Sequence, residues 1–393
     1  MENIKEALVN HVQDRGPEVT ALADTIFDLK EISFEEVETA KLLTAYLEKN
    51  GFTVERGVGG LPTAFRAVYE TGHGGPAIGL LCEYDALKNL GHGCGHHMQA
   101  PGIFAAACAI KDCVKDKPYK LVVYGTPGEE TSGGKIEMLK NGCFKDIDVA
   151  LMIHGGDKTQ TDVKSMALVS AHVTYHGVSA HAAICPEKGR SALDAMILAF
   201  NGTEFLREHL LDEARIHYII NSVPGAQNAV PALAEADFDL RSYNSLYLDE
   251  IIRRFENVIK GAAIMTDTTY EISYGTRFDS KIPARKLNEV VMANAEAVGA
   301  PNLAPSREKT GSTDFGNVTF TLPGTCLRIA FVKEGTPSHS QGFIDAGKSG
   351  AAHKAIVAAG KVIALSAYDL ITVPGLLQSI QDEFAANKAA MRV

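Results

Sequence analysis

The segment "PAIGLLCEYDALKNLGHGCGHH", residues 76–97, joins a buried strand to a loop rich in glycine and histidine. Its first seven residues are almost all apolar, which is typical of a strand covered on both faces. The small-residue segment 100–115 that follows predicts a helix packed tightly on its surroundings. Further buried strands at 119–125 and 148–156 alternate with helical segments, and this alternation predicts an α/β sheet covered by helices. In such sheets the chemistry collects where strands end.

The pattern changes near residue 165. A half-exposed strand, a helix at 189–210, a second strand, a helix at 247–265 and a third strand then follow in order. This succession has the size of a small α+β domain, and the α/β pattern returns after residue 281. We therefore predict a discontinuous catalytic domain, residues 1–164 and 281–393, that carries an inserted domain at residues 165–280.

Composition limits the classes of partner. The chain has 393 residues, more than one hydrophobic core usually holds, and a formal net charge of −10 without a basic run. Nucleic-acid binding is not expected, because it requires clustered Lys and Arg side chains. No apolar run approaches the roughly 20 residues that cross a bilayer, and residues 1–16 predict a polar amphipathic helix instead of a signal peptide. Seven cysteines, an odd number, indicate reduced thiols in a cytoplasmic protein. The expected partner is a small-molecule substrate.

The loop at residues 91–97 gathers side chains that transition metals prefer. His92, Cys94, His96 and His97 lie within six positions. A divalent transition metal takes about four donors from thiolate, imidazole and carboxylate groups, and Cys94 and His96 could both face one ion. The glycines between them permit unusual backbone dihedral angles. Taken alone, the loop fits a metal site and a glycine-rich turn with solvent-facing histidines equally well.

Other candidate donors follow buried strands in the α/β part. Glu129 and Glu130 stand together where one strand ends, so one carboxylate could bind metal while the other reaches an activated water. His154 ends a second strand, and His339 lies on a late loop that precedes a helix. Separately, each could be a solvated charge or a satisfied core histidine. Their common position at strand ends favours one shared site with the loop at residues 91–97.

Six short motifs occur in a characteristic order. They are Asp-Ala-Leu at 85–87, Gly-Cys-Gly-His at 93–96, Gly-Glu-Glu at 128–130, Ile-His at 153–154, Gly-Val-Ser-Ala-His-Ala at 177–182 and a late histidine at 339. In this order they resemble the metallopeptidase and amidohydrolase family of carboxypeptidase G, aminoacylase-1 and the auxin-conjugate hydrolases. The segments "EYDALKNLGHGCGH" and "GSTDFGNV" are most similar to the branch that contains the p-aminobenzoyl-glutamate hydrolase subunits and the aminoacylase-1-like dipeptidases.

This resemblance implies a fold and a metal centre. The fold is a metallopeptidase catalytic domain, a mixed sheet flanked by helices, with an inserted α+β, ferredoxin-like lid and dimerisation domain. The implied cofactor is one or two divalent transition-metal ions (Zn, Mn, Co or Ni), with the thiolate between the two ions. The residues that match the family's metal ligands are Cys94, His96, Glu130, His154 and His339. Glu129 matches the general base, and Asp85 matches an acidic residue that supports the first ligands.

The resemblance also implies contacts with the substrate. His181 is placed on the lid, where it reaches the active site of the other subunit and polarises the scissile carbonyl. Asn228 and Arg241 hold the substrate carboxylate or the developing oxyanion, and the two parallel donors of arginine suit a carboxylate. Gly311 shapes the pocket, and His97, where relatives usually have Asp or Asn, tunes the ligands or contacts substrate. The implied assembly is a homodimer at least, joined through the lid.

The predicted function is metal-dependent hydrolysis of an amide C–N bond in an N-acyl or N-aroyl amino acid or a dipeptide, through a metal-activated water with Glu129 as general base. Two alternatives remain at this point. One is an aminohydrolase that replaces an aromatic amine by hydroxyl with the same chemistry, and it would release ammonia. The other is an inactive metal-binding scaffold or regulatory subunit.

Overall fold

Two compact units make up the described part of the chain. The computed structural model describes residues 4–392. The first unit comprises the residues up to Ser165 together with Lys281–Ala389, and the second comprises Met166–Ser280 with the residues from Ala390 onward. The chain therefore leaves the first unit near residue 165 and returns to it near residue 281.

The first unit is built on an eight-stranded mixed sheet. Its strands are β1 (Thr53–Arg56), β2 (Phe65–Thr71), β3 (Ala77–Cys82), β4 (Tyr119–Gly125), β5 (Val149–Gly156), β6 (Gln160–Ser165), β11 (Arg307–Thr310) and β12 (Gly324–Ala330). The spatial order is β1-β2-β4-β3-β5-β12-β6-β11. The four central strands β4, β3, β5 and β12 are mutually parallel, so their carboxyl ends share one edge. That edge collects the polar residues that follow each strand.

Helices cover this sheet. They are α1 (Ile4–Asp14), α2 (Gly16–Leu29), α3 (Val37–Lys49), α4 (Gln99–Cys113), α5 (Gly134–Lys140), α8 (Arg285–Ala297), α9 (Phe315–Thr321), α10 (Gln341–Ala346), α11 (Gly350–Thr372) and α12 (Leu376–Ala390). One large hydrophobic cluster includes residues of α4 and α11, and a second, smaller cluster includes residues of α5 and α9. A mixed sheet flanked by helices confirms the predicted α/β class.

Helices α4 and α11 pack closely in the core. A Cβ added at Gly360 would lie 3.0 Å from the carbonyl oxygen of Gly102, so the two backbones approach closely only because both residues lack a side chain. Helix α11, Gly350–Thr372, has the length and hydropathy of a membrane span, which the sequence analysis did not anticipate. Its apolar residues are buried against α4 and α1, which accounts for its composition as that of a core helix.

The second unit has a four-stranded antiparallel sheet with two helices. The elements are β7 (Ala167–His176), α6 (Ala192–Arg207), β8 (Arg215–Ser222), β9 (Leu233–Ser242), α7 (Ser245–Thr266) and β10 (Thr269–Tyr274), and the sheet order is β10-β7-β9-β8. Both helices begin at a capping side chain: Ser191 accepts from the backbone of Asp194, and Asn244 accepts from that of Leu246. Strand β8 was missing from the sequence prediction because almost all its side chains are exposed, so it lacks the alternation of a half-buried strand.

Candidate metal centre

Five donor side chains meet at the carboxyl edge of the central strands. The loop after β3 carries Cys94 and His96, the loop after β4 carries Glu130, β5 carries His154 near its end, and the loop after β12 carries His339. The glycines at 91 and 95 have φ angles of 82° and 83°, which an L-residue with a side chain rarely adopts. The expected use of glycine for unusual dihedral angles therefore holds at these two positions.

Two overlapping donor groups share Cys94. The ligand atoms of Cys94, His96 and His154 lie within 4.8 Å of one another, and so do those of Cys94, Glu130 and His339. The sulfur of Cys94 lies 3.5 Å from Nε2 of His154 and 3.3 Å from Nε2 of His339. One thiolate flanked by two sets of donors has the composition of a site for two transition-metal ions.

Hydrogen bonds turn the His96 ring toward this centre. Nδ1 donates to the backbone oxygen of Asp85 at 3.0 Å and to its carboxylate at 3.1 Å, so the lone pair is on Nε2. Nε2 is buried and has no hydrogen-bond partner in the described chain, although Oε2 of Glu83 lies 3.2 Å away. Oε1 of Glu130 is likewise buried without a hydrogen bond. Unpartnered buried ligand atoms that converge fit a bound cation, because burial without a partner is otherwise costly.

Asp85 organises two parts of the centre at once. Its second carboxylate oxygen accepts from Ser33 Oγ at 2.7 Å and from the backbone N–H of Glu130 at 3.0 Å. Burial would raise the pKa of Asp85, but the hydrogen bond and charge of His96 lower it below its ordinary value, so the carboxylate stays ionised. The structure therefore gives Asp85 a position from which it supports His96 and Glu130, not one at the reacting atoms.

The late histidine is held in an uncommon backbone conformation. His339 has φ of 58°, and its N–H donates to the carbonyl oxygen of Gly93 at 2.9 Å. This bond aims Nε2 at Cys94 and at Oε1 of Glu130, which is 3.5 Å away. The hydrogen bond to Cys94 and the interaction with the Glu130 carboxylate raise the pKa of His339 to about 10.

The charges and hydrogen bonds around Cys94 favour its thiolate form. Burial by itself would raise its pKa, but the charges of His96 and His154 and the hydrogen bonds from His154 and His339 hold it well below the ordinary value. The thiol proton is thus lost readily, and the sulfur has the form in which it binds metal.

Glu129 stands beside two of the metal donors. Its carboxylate lies within 4.8 Å of the ligand atoms of His96 and Glu130, and within the same distance of carboxylate oxygens of Glu83 and Asp314. Burial, followed by the charges of Glu83 and Asp314, raises the pKa of Glu129 well above its ordinary value. A raised proton affinity is what a group needs in order to accept a proton near neutral pH.

Sequence reasoning missed the buried groups around Glu129. Glu83 follows β3, Asp314 precedes α9, and Lys135 lies in the first turn of α5, and all three are almost completely buried. Glu83 and Asp314 lay inside motifs used for the family resemblance, but the motif spacing did not bring them together. Nothing in the sequence indicated that Lys135 is buried, because a lysine after "SGG" is ordinarily an exposed helix residue.

His97 and Gly311 lie in different surroundings. His97 has no exposed surface; its Nε2 donates to the carbonyl oxygen of Gly347 at 2.9 Å, and its ring packs edge-on against Phe27. This position gives it no surface for the expected substrate contact, and we propose instead that it anchors the ligand loop from behind. Gly311 is exposed at the end of β11.

The remaining three candidates lie in the second unit. The loops that carry His181 and Asn228 pair with each other, since the N–H of Ala182 donates to the carbonyl oxygen of Asn228 at 2.9 Å. Both side chains are on exposed residues. Arg241 lies on β9 and donates to Asp239 at 2.8 Å. The second unit thus brings His181 and Asn228 together on one pair of loops and keeps Arg241 on the sheet.

The fold and the donor cluster together define a class of protein, the metal-dependent hydrolases. The sequence profile of Peptidase family M20/M25/M40 matches residues 81–348, and the chain belongs to this family. The predicted resemblance and the predicted enzyme class, a metal-dependent amide hydrolase, are both confirmed.

Three relatives illustrate the match. The chain is 32% identical to one of the subunits of p-aminobenzoyl-glutamate hydrolase of Escherichia coli, with 98% of this chain and 95% of the relative covered. It is 31% identical to the Xaa-Arg dipeptidase of Mus musculus, with 98% and 93% covered. The structure of Bacillus subtilis YxeP, a dinuclear metal binding peptidase from the M20 family, superposes with a TM-score of 0.68 at 16% identity over 88% of this chain and 98% of that one.

A buried carboxyl group next to the "TPGEE" loop predicts a pH-dependent stability. Glu36 is fully buried; it accepts from the N–H of Gly128 at 2.9 Å and from Thr63 Oγ1 at 2.9 Å. Burial, only partly offset by hydrogen bonds, raises its pKa from 4.5 to about 7. The native state therefore binds the proton more tightly than the unfolded state, so this group makes the free energy of unfolding fall as pH rises from about 4.5 to about 7.

Glu36→Gln is expected to remove that dependence. The free energy of unfolding of the variant minus that of the original protein should rise between pH 5 and pH 8. The rise is at most about 3 kcal/mol, because the pKa shift from 4.5 to about 7 sets the largest free energy that this group can contribute. Urea unfolding at both pH values measures the change. Glu38→Gln, at an exposed position two residues later, is the control, and equal pH slopes for both variants would contradict the expectation.

Proposed function

We propose that the protein hydrolyses the amide C–N bond of N-acyl or N-aroyl amino acids or of dipeptides, with Glu129 as general base. The observation that carries the proposal is the pair of donor groups that share Cys94, with the carboxylate of Glu129 within 4.8 Å of His96 and Glu130. A base placed beside donor groups for divalent metal is an arrangement suited to the attack of water on an amide carbonyl.

The chain's residues divide the work as follows. Cys94, His96, Glu130, His154 and His339 would hold two divalent ions, with Cys94 common to both. A divalent cation bound there supplies Lewis acidity, which lowers the pKa of water from about 15.7 to about 7 and polarises a carbonyl. Glu129 takes the proton of the attacking water and gives it to the departing nitrogen, so one carboxyl group serves both steps. Asp85 keeps His96 and Glu130 oriented.

The types of donor atom limit which metal ions are expected to bind. Thiolate and imidazole donors favour Zn, Mn, Co or Ni over Mg and Ca, whose ligands are almost entirely oxygen.

All seven cysteines fall within residues 4–392 and none of them forms a disulfide, which supports a reducing, cytoplasmic location.

The proposed substrate class is drawn from the names of the relatives. The relatives are named for p-aminobenzoyl-glutamate and for Xaa-Arg dipeptides, both of which contain an amide bond to an amino acid. We assign Asn228 and Arg241 to the free carboxylate or the oxyanion, His181 to the carbonyl oxygen, and Gly311 to the pocket wall. Each donor to a developing oxyanion typically contributes about 3 kcal/mol to the transition state.

The test is a substrate screen read by mass spectrometry. Purified protein loaded with Mn or Zn is offered acyl amino acids, aroyl amino acids, dipeptides and aryl amines. Cleavage to a carboxylic acid and an amino acid, abolished by a chelator and restored by metal, is the expected result. Ammonia release from an aryl amine would support an aminohydrolase instead, and activity unaffected by chelation would contradict the proposed mechanism.

We also propose that the second unit is a lid through which two chains form a homodimer. Strand β8 is an edge strand that pairs with β9 alone among the described strands. Ile219, on this strand, and Phe205, on α6, are 63% and 73% exposed. An open edge with exposed apolar side chains is suited to pair with its own copy across a twofold axis.

Cys94 is expected to be shielded by metal. Alkylation followed by peptide mass mapping should label Cys94 slowly in metal-loaded protein and at least about ten-fold faster after chelation, because a coordinated thiolate is not a free nucleophile. Cys185, half-buried in the second unit, is the internal control and should not change. Equal labelling of Cys94 in both states would remove it from the ligand set.

A further inference from the structure

A lysine lies where carboxylates converge behind the general base. The carboxylate oxygens of Glu83, Glu129 and Asp314 lie within 4.8 Å of one another, and the atoms of each of the two metal donor groups lie within the same limit. The ammonium of Lys135 donates to Glu83 at 2.6 Å and to Asp314 at 2.8 Å. This third cluster therefore already contains a cation, and that cation is a side chain.

Three members of the cluster are fixed by more than one contact. Glu83 holds Lys135 with Oε1, while its Oε2 accepts from Gln99 Nε2 at 2.7 Å. Asp314 holds the ammonium with Oδ1, while its Oδ2 accepts from the backbone N–H of Lys135 at 3.0 Å. Lys135, Glu83 and Asp314 are each at most 1% exposed, so the charges are not screened by solvent. Burying an ammonium costs free energy that apolar packing does not return, so its carboxylate partners are what stabilise it.

Charge balance explains why a monovalent side chain suits this place. Three carboxylates around one point repel one another, and a cation among them offsets that repulsion. A divalent ion would be attracted to the same oxygens, and it would draw Glu129 away from the metal pair. The ammonium of Lys135, on α5, donates to Glu83 and Asp314 and carries a single charge, so it attracts Glu129 less strongly than a divalent ion would.

We propose that Lys135 is a positioning residue whose ammonium takes the place of a third metal ion among Glu83, Asp314 and Glu129, and so keeps Glu129 available to the metal pair. The inference rests on the proposed role of Glu129. It adds that the number of ions bound is limited by a residue that is itself neither a metal ligand nor a substrate contact.

The test compares Lys135→Met with a charge-balanced double variant, Lys135→Met/Asp314→Asn, and with Lys140→Met, an exposed lysine on the same helix. Metal per chain is counted by mass spectrometry after dialysis against Mn or Zn, and kcat and KM are measured separately. Lys135→Met should bind about one additional ion and lose kcat by about 50-fold or more, with KM within about three-fold. The double variant should return to the original metal count and recover kcat at least about ten-fold, while Lys140→Met matches the original protein.

A folded Lys135→Met that keeps the original metal count, or a double variant that recovers neither count nor kcat, overturns the proposal. If Lys135→Met does not fold, the double variant decides: folding with the original metal count supports a charge role, and failure to fold shows a purely structural one. The metal count does not depend on substrate. It therefore tests Lys135 even if the protein hydrolyses none of the offered amides, an outcome that would count against the proposed function alone.

Discussion

Glu129→Gln should lower kcat by about 10²–10⁴ and leave the metal content unchanged, because a positioned general base contributes about that much and an amide cannot accept the proton. Glu130→Gln, the same substitution one residue later, should instead lose metal. The reason is geometric. Oε1 of Glu130 is a buried atom without a hydrogen bond that lies 3.5 Å from His339, and Glu130 forms a donor group with Cys94 and His339, whereas the donor groups that contain Glu129 include neither Cys94 nor His339.

Metal analysis and single-turnover kinetics on the two variants measure this division of labour. Each variant serves as the other's matched control, since both replace one neighbouring carboxylate by the same amide. Thermal unfolding without metal should be similar for both. Equal metal loss in the two variants would show that the two carboxylates are not separated into ligand and base.

Mixing two inactive variants should restore activity if His181 serves the other subunit. His181→Ala lacks the lid imidazole, and Glu129→Gln lacks the base. In a mixed dimer one site has both groups intact, so complete random exchange should return about a quarter of the original activity. If His181 acts within its own chain, every site in the mixture lacks one group and no activity returns.

Subunit exchange must be demonstrated on the same samples by native mass spectrometry of isotope-labelled chains. A mixture of Glu129→Gln with Lys135→Met is the matched control, because both defects then lie in the first unit and no mixed dimer has a complete site if that unit acts within one chain. Restored activity in this control would contradict the assignment of Glu129 to its own chain's metal ligands. A protein that remains monomeric at all concentrations would contradict the proposed dimer.

Much of the architecture could be predicted from local pattern. Continuous apolar runs at β3, β4 and β5 predicted a sheet covered on both faces, because such runs cannot face water. The polar residues directly after these runs marked the carboxyl edge. Parallel pairing brings those ends together, so the order of strands and polar residues along the chain was enough to expect Cys94, His96, Glu130 and His154 at one place.

Other features depended on contacts between residues that are far apart in the sequence. Strand β8 has almost no buried face, so hydrophobic periodicity could not reveal it. The burial of His97 depends on Gly347, 250 residues later. No local pattern encodes such a contact.

The surroundings of Glu129 also combine features that are visible in the sequence with features that only folding creates. Two adjacent glutamates after a buried strand are visible in the amino-acid order, and they indicated that one carboxylate could bind metal while the other reached a water. The assignment of Glu130 as ligand and Glu129 as base came from the family resemblance. The meeting of Glu83 and Asp314 with Glu129, and the place of Lys135 among them, 52 and 179 residues from its two partners, arise only when the chain is folded. Charge compensation in a buried site acts over a few ångströms of space, and separation along the chain does not enter it.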